Sequence, residues 1–86
     1  MISLTEANVI KPEQAFGQVL KEFRSNVKLS QEKLAQESNL DRTYISLLER
    51  GLRQPTLTTM IQLSKALEIS LPAFVSAVET VIDENS

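Results

Sequence analysis

The chain has no histidine and no cysteine among its 86 residues, and only two glycines. Without imidazole or thiol it cannot build a zinc finger, a Cys or Ser–His nucleophile system, an iron–sulfur site or an ordinary haem ligand set. Carboxylate, hydroxyl and lysine chemistry remain. Gly17 and Gly51 are too far apart to make a glycine-rich phosphate loop. No pair of acids falls in an apolar pocket pattern and the lysines fall on solvent faces, so no catalytic residue, metal or cofactor is expected. With no disulfide available, stability must come from packing, shared or unshared with a second subunit. No apolar run approaches the roughly 18 residues that span a bilayer. Glu6 and Asn8 interrupt the apolar start and no basic flank precedes it, unlike a signal peptide. These absences predict a soluble, cytoplasmic chain with no membrane and no small-molecule ligand.

What is present is enough for one domain with one core, below the modal domain size of roughly 100 to 150 residues. The apolar fraction of 42% is ordinary. Nine basic residues against eleven acidic ones give a net charge of −2, which as a sum argues against nucleic acid as a partner. The distribution argues otherwise. From Lys21 to Arg53 seven basic residues meet five acidic ones, a local net of +2, while the remainder holds two basic and six acidic groups.

The hydrophobic periods are helical throughout, and no strand pattern competes. Residues 1–11 carry no clean period and read as an arm, for which disorder is the default and packing across a second copy the alternative. Pro12 opens a first helix, to about Asn26, with Ala15, Phe16, Val19, Leu20 and Phe23 on one face. Gly17 inside it signals either close approach of a neighbouring helix or simple tolerance, with tolerance favoured. Ser30 caps a short helix over Gln31–Glu37 with Leu34 and Ala35 inward. Asn39 supplies a left-handed turn, and Asp41 caps a third helix, Arg42–Arg50, with Ile45 and Leu48 inward and Gly51 ending it. Thr56 caps a fourth helix whose apolar stripe reads Leu57, Met60, Ile61, Ser64 and Leu67. Ser70 caps a fifth with Leu71, Phe74, Val75, Val78, Val81 and Ile82. The pattern predicts an all-α, compact five-helix bundle. Its layout is an arm (1–11), a helical unit (12–82) whose last helix spans 71–82, and a polar tail (83–86).

Gln31–Arg50 is thus a helix, a turn and a helix in twenty residues. Its opening Ser-Gln-Glu-x-Leu-Ala, its close Ile-Ser-x-x-Glu-Arg-Gly and the downstream Pro-Thr-Leu…Leu-Ser-Lys-Ala-Leu stand in order. Over about Pro12 to Phe74 the chain resembles the phage-repressor and Cro-like, or xenobiotic-response-element, helix-turn-helix family. The resemblance implies a lambda-repressor-like fold whose third helix enters the major groove of double-stranded DNA. It also implies an interhelical ion pair between Arg24 and Glu49, the alternative being two unrelated surface charges. Two departures stand out: Asn39 occupies the turn position most often glycine in the family, and Asp41 puts an acid at the mouth of the recognition helix.

On that frame Arg42, Thr43, Ser46 and Leu47 are the expected base contacts. Arg42 offers paired donors to guanine, Thr43 a hydroxyl and a methyl, and Leu47 either touches a thymine methyl or rims the core. Gln31, Tyr44, Arg50 and Arg53 are the expected phosphate contacts. Gln31 would act with the free N–H groups of a helix start, while Tyr44 reads equally well as a core aromatic. The surplus apolar residues of the fifth helix suggest a homodimer through Phe74, Val78, Val81 and Ile82, with the plain alternative that the whole helix is core. Such a dimer would set two recognition helices about 34 Å apart over a near-palindromic operator. The function implied is a sequence-specific transcriptional regulator, most simply a repressor. An antitoxin that represses its own operon and a restriction–modification controller share the domain, and Leu-Asp-Arg-Thr-Tyr-Ile-Ser is similar to segments of controller proteins. The rival from another class is a protein-interaction module, such as an antitoxin that mainly holds a partner protein.

Overall fold

A computed structural model describes residues 9–85. The expectations for the arm at 1–8 and for the last tail residue lie outside the described residues. The chain forms α1 (Pro12–Asn26), α2 (Gln31–Ser38), α3 (Arg42–Glu49), α4 (Leu57–Ala66) and α5 (Leu71–Glu84), with no strand among the described residues. The last helix runs two residues past Ile82, into the stretch read as polar tail.

Each start has a local cause. The Gln14 side chain accepts from the Lys11 N–H at 3.0 Å ahead of α1. Ser30, Asp41, Thr56 and Ser70 accept from the N–H groups of Lys33, Thr43, Thr59 and Ala73 at 3.0, 3.0, 3.0 and 3.2 Å. The first four helices end alike, on a left-handed residue: Lys28, Asn39, Gly51 and Glu68, with φ of 60, 59, 73 and 57°. The next N–H then reaches back to an otherwise orphan carbonyl, as from Leu40 to Ala35 at 2.9 Å and from Leu52 to Leu47 at 3.0 Å. Asn39 thus makes the turn that its side chain tolerates.

α1 is the central element, packed against α5 and α3, while α2 crosses α3 and α4 and α4 meets α5. Ala15, Phe16, Val19 and Leu20 are buried as their spacing predicts. Gly17 corrects the reading of tolerance. A Cβ there would lie 2.4 Å from the Leu48 carbonyl oxygen and 2.7 Å from that of Glu49, so the C-terminus of α3 rests on the α1 backbone. α4 keeps part of the expected stripe, with Ser64 and Leu67 buried and Met60 packed on the core, and departs from it elsewhere. Leu63, outside that stripe, is fully buried and Thr59 nearly so, whereas Leu57 and Ile61 are 61% and 37% exposed. The hydroxyl of Thr59 is satisfied by Thr56 at 3.0 Å, which lets a polar residue occupy an inward position.

Phe74 drops out of the residues expected at a dimer contact. It is fully buried, stacked on Phe16 with ring centroids 5.1 Å apart and met edge-on by Phe23 at 5.4 Å. A side chain enclosed by its own protomer has no surface to offer another. Val78 and Val81 pack against the same core and are half-buried, as is Ile82. Among the described residues no helix is long and apolar enough to cross a membrane.

Candidate nucleic-acid interface

α2, its Asn39 turn and α3 form the unit that carries the expected contacts. Ile45 and Leu48 lock α3 inward with no exposure, as Leu34 and Ala35 lock α2. The opposite face of α3 is thereby fixed outward. Arg42 and Thr43 in its first turn are exposed, Ser46 one turn on is half-buried, and Leu47 is half-buried at the rim. The four expected base-contacting residues therefore lie on or beside one surface. Asp41 holds the first turn of α3 through its carboxylate.

The expected phosphate residues divide. Arg50, the C-cap of α3, and Arg53 in the loop beyond are exposed. That loop is held in place: Gly51 sits against Gln14, where a Cβ would come within 3.0 Å, and Gln54 donates to Glu13 at 3.5 Å. Tyr44 is half-buried against the core, and its hydroxyl meets that of Thr59 at 3.4 Å. Since Thr56 donates to Thr59, Thr59 can donate to Tyr44 and leave the phenolic proton to another acceptor. The core reading of Tyr44 thus holds, and its hydroxyl keeps a hydrogen-bonding capacity beyond Thr59.

Gln31 opens α2. Ser30 takes up the N–H groups of Lys33 and Leu34, so those of Gln31 and Glu32 remain at the helix mouth. The Gln31 amide donates to Glu49 Oε1 at 3.0 Å. The same carboxylate receives Arg24 through Nε at 2.6 Å and Nη2 at 3.0 Å, and Arg24 Nη1 donates to the Leu29 carbonyl at 2.7 Å. The expected Arg24–Glu49 pair is therefore formed, with side chains only 13% and 3% exposed. Its link to Gln31 was not foreseen, because eighteen residues of separation give no periodic signal. Hydrogen bonding to Glu49 raises the Arg24 pKa above its ordinary value, burial opposing and the carboxylate's charge reinforcing. A raised cation pKa adds stability at every pH below the arginine range and loses it only above that range, so the pair is insensitive to working pH from the arginine side.

The profile of the helix-turn-helix family matches residues 20–74. The chain belongs to that family. It is a family of DNA-binding transcription regulators of the phage-repressor and Cro-like type. The control protein C.SmaI of Serratia marcescens is 49% identical over 53 residues, 62% of this chain and 63% of its own length. The chain thus spans less than two thirds of that relative. The restriction-modification controller protein C.AhdI from Aeromonas hydrophila superimposes with a TM-score of 0.70 at 42% identity, covering 72% of this chain and 94% of that one. The controller protein C.Esp1396I, solved as a tetramer in complex with its natural 35 base-pair operator, gives a TM-score of 0.78 at 36% identity. That match covers 85% of this chain and 96% of the other.

Proposed function

We infer that this helix-turn-helix protein is a sequence-specific regulator of transcription. It works in the cytoplasm as a homodimer on a near-palindromic operator, in the manner of a repressor or restriction-modification controller. The observation that carries this reading is the outward face of α3, where exposed Arg42 and Thr43 stand on a helix locked from behind by Ile45 and Leu48. The likeness to a controller bound to its operator supports it. Arg42, Thr43, Ser46 and Leu47 read base edges, while Gln31, Arg50, Arg53 and the Tyr44 hydroxyl hold phosphates. No residue is assigned a catalytic task.

The rival reading as a partner-binding module loses ground at Asp41. Its acidity looked out of place at a DNA-facing helix mouth, yet its carboxylate caps α3, so a folding role accounts for it. For the dimer, Phe74 is withdrawn. Val78, Val81 and Ile82 stay half-buried residues for the contact with a second copy, with Val75, 45% exposed, beside them on α5 and Leu57 and Ile61 one turn apart on α4.

The test is fluorescence anisotropy on a duplex selected by the protein from random sequence, against a shuffled duplex of equal length. Arg42→Ala removes one bidentate base contact and is expected to lower discrimination by about 1–3 kcal/mol per contact with the fold intact. Equal affinity of the wild type for both duplexes at all salt concentrations would falsify the reading.

A further inference from the structure

We infer that Glu49 is a positioning residue for DNA binding: through its buried carboxylate it presets the Gln31 side chain for a phosphate at the start of α2. This rests on the regulator reading. The Arg24–Glu49 pair, implied by the resemblance, and the Gln31 phosphate contact, expected of a helix start, are separate features in the sequence, and the geometry joins them.

Glu49 is 3% exposed at its side chain, and both its oxygens are engaged. Oε2 accepts from Arg24 Nε, while Oε1 accepts from Arg24 Nη2 and from Gln31 Nε2, each at 3.0 Å. Arg24 in turn binds the Leu29 carbonyl, the last before the Ser30 cap. One carboxylate at the end of α3 therefore gathers the end of α1, the connection to α2 and the first residue of α2. A glutamine side chain loses rotamer freedom when it binds a phosphate. Here a charge-assisted bond from one of its two amide hydrogens fixes that rotamer in the free protein. The second hydrogen stays available beside the open N–H groups of Gln31 and Glu32. Preorganisation of this kind raises affinity without adding a contact. It also fixes the spacing between the phosphate site on α2 and the base-reading surface of α3, because both hang on the same side chain.

Removing Glu49 alone would leave Arg24 buried without its partner, which threatens the fold. The test therefore uses the paired variant Arg24→Met with Glu49→Leu, since apolar residues of similar volume often replace buried ion pairs without loss of stability. Binding of the full chain to its selected duplex is measured for wild type, Gln31→Ala, the paired variant and the triple variant. Each is also tested on duplexes carrying one neutral methylphosphonate at successive backbone positions. The expected result is a roughly tenfold loss for Gln31→Ala and a similar loss for the paired variant. Gln31→Ala should then cost markedly less in the paired background than in the wild type, and the methylphosphonate that weakens wild-type binding should have a smaller effect in all three variants.

The inference is overturned if the paired variant binds as wild type does, or if Gln31→Ala costs the same factor in both backgrounds. Should the paired variant fail to fold, the wild type decides through NMR relaxation of the Gln31 side-chain amide without DNA. Order as high as the backbone supports positioning, and free rotation overturns it. A wild type that selects no duplex at all overturns the regulator reading, and the inference with it.

Discussion

Gly17 shows how much a single position carries. The α3 carbonyls lie where a β-carbon would be, at 2.4 and 2.7 Å, and backbone cannot rotate away as a side chain can. Gly17→Ala is expected to cost about 3 kcal/mol or more, read as a fall in the thermal midpoint by circular dichroism. Glu68 is the opposite case. It holds a left-handed φ of 57° with a carboxylate at the C-terminal end of α4, where both backbone geometry and helix dipole disfavour it. Glu68→Gly is expected to stabilise by about 1 kcal/mol in urea melts. Glu68 was not legible in the sequence, and Gly17 was legible only as the less favoured of two alternatives. Gly17 read as tolerance because the helix resting on it is 31 residues downstream, at Leu48. Glu68 gave no turn signal because its left-handed conformation is imposed by helix ends on both sides.

At the scale of elements, capping and periodicity anticipated most of the fold. Ser30, Asp41, Thr56 and Ser70 all act as the helix starts their side chains suggested. α4 is where periodicity was right only in part, for Met60, Ser64 and Leu67, since the helix packs against both α2 and α5 and so buries two flanks rather than one stripe. Thr59 looked polar and turned out to be inward, its hydroxyl absorbed by Thr56 and Tyr44. The outward face of α3 was legible because two short apolar anchors, Ile45 and Leu48, suffice to orient an eight-residue helix. What Gln31 touches was not, since that contact depends on how three helices meet. Asp41 offers a prediction at this scale. Asn caps helices about as well as Asp, so Asp41→Asn should cost no more than the helix-dipole contribution of about 0.3–1 kcal/mol. With the charge beside the phosphates removed, DNA should bind about two- to tenfold more tightly, measured by anisotropy at fixed salt.

Over the whole molecule, a basic helix-turn-helix segment is carried on an acidic remainder, within a net charge of −2. On the proposed regulator reading, nonspecific attraction to phosphate is expected to be weak, with affinity leaning on base contacts and on pairing of two copies. If Arg50 and Arg53 each meet a phosphate in both protomers, the affinity should fall with salt at a logarithmic slope of about −4. Arg53→Ala should weaken all duplexes alike and flatten that slope by about 2. Pairing through Leu57 and Ile61 predicts that Ile61→Glu shifts the chain to monomer in sedimentation equilibrium and lowers operator affinity, with helix content unchanged. The central claim, that the outward face of α3 reads DNA sequence for a paired regulator, is tested most directly by selecting bound duplexes from a random pool. The account predicts an enriched inverted repeat with half-sites about one helical turn or a multiple of it apart, and loss of that enrichment in Arg42→Ala. A pool that stays random with the wild type, or the same enriched repeat with Arg42→Ala, would contradict it.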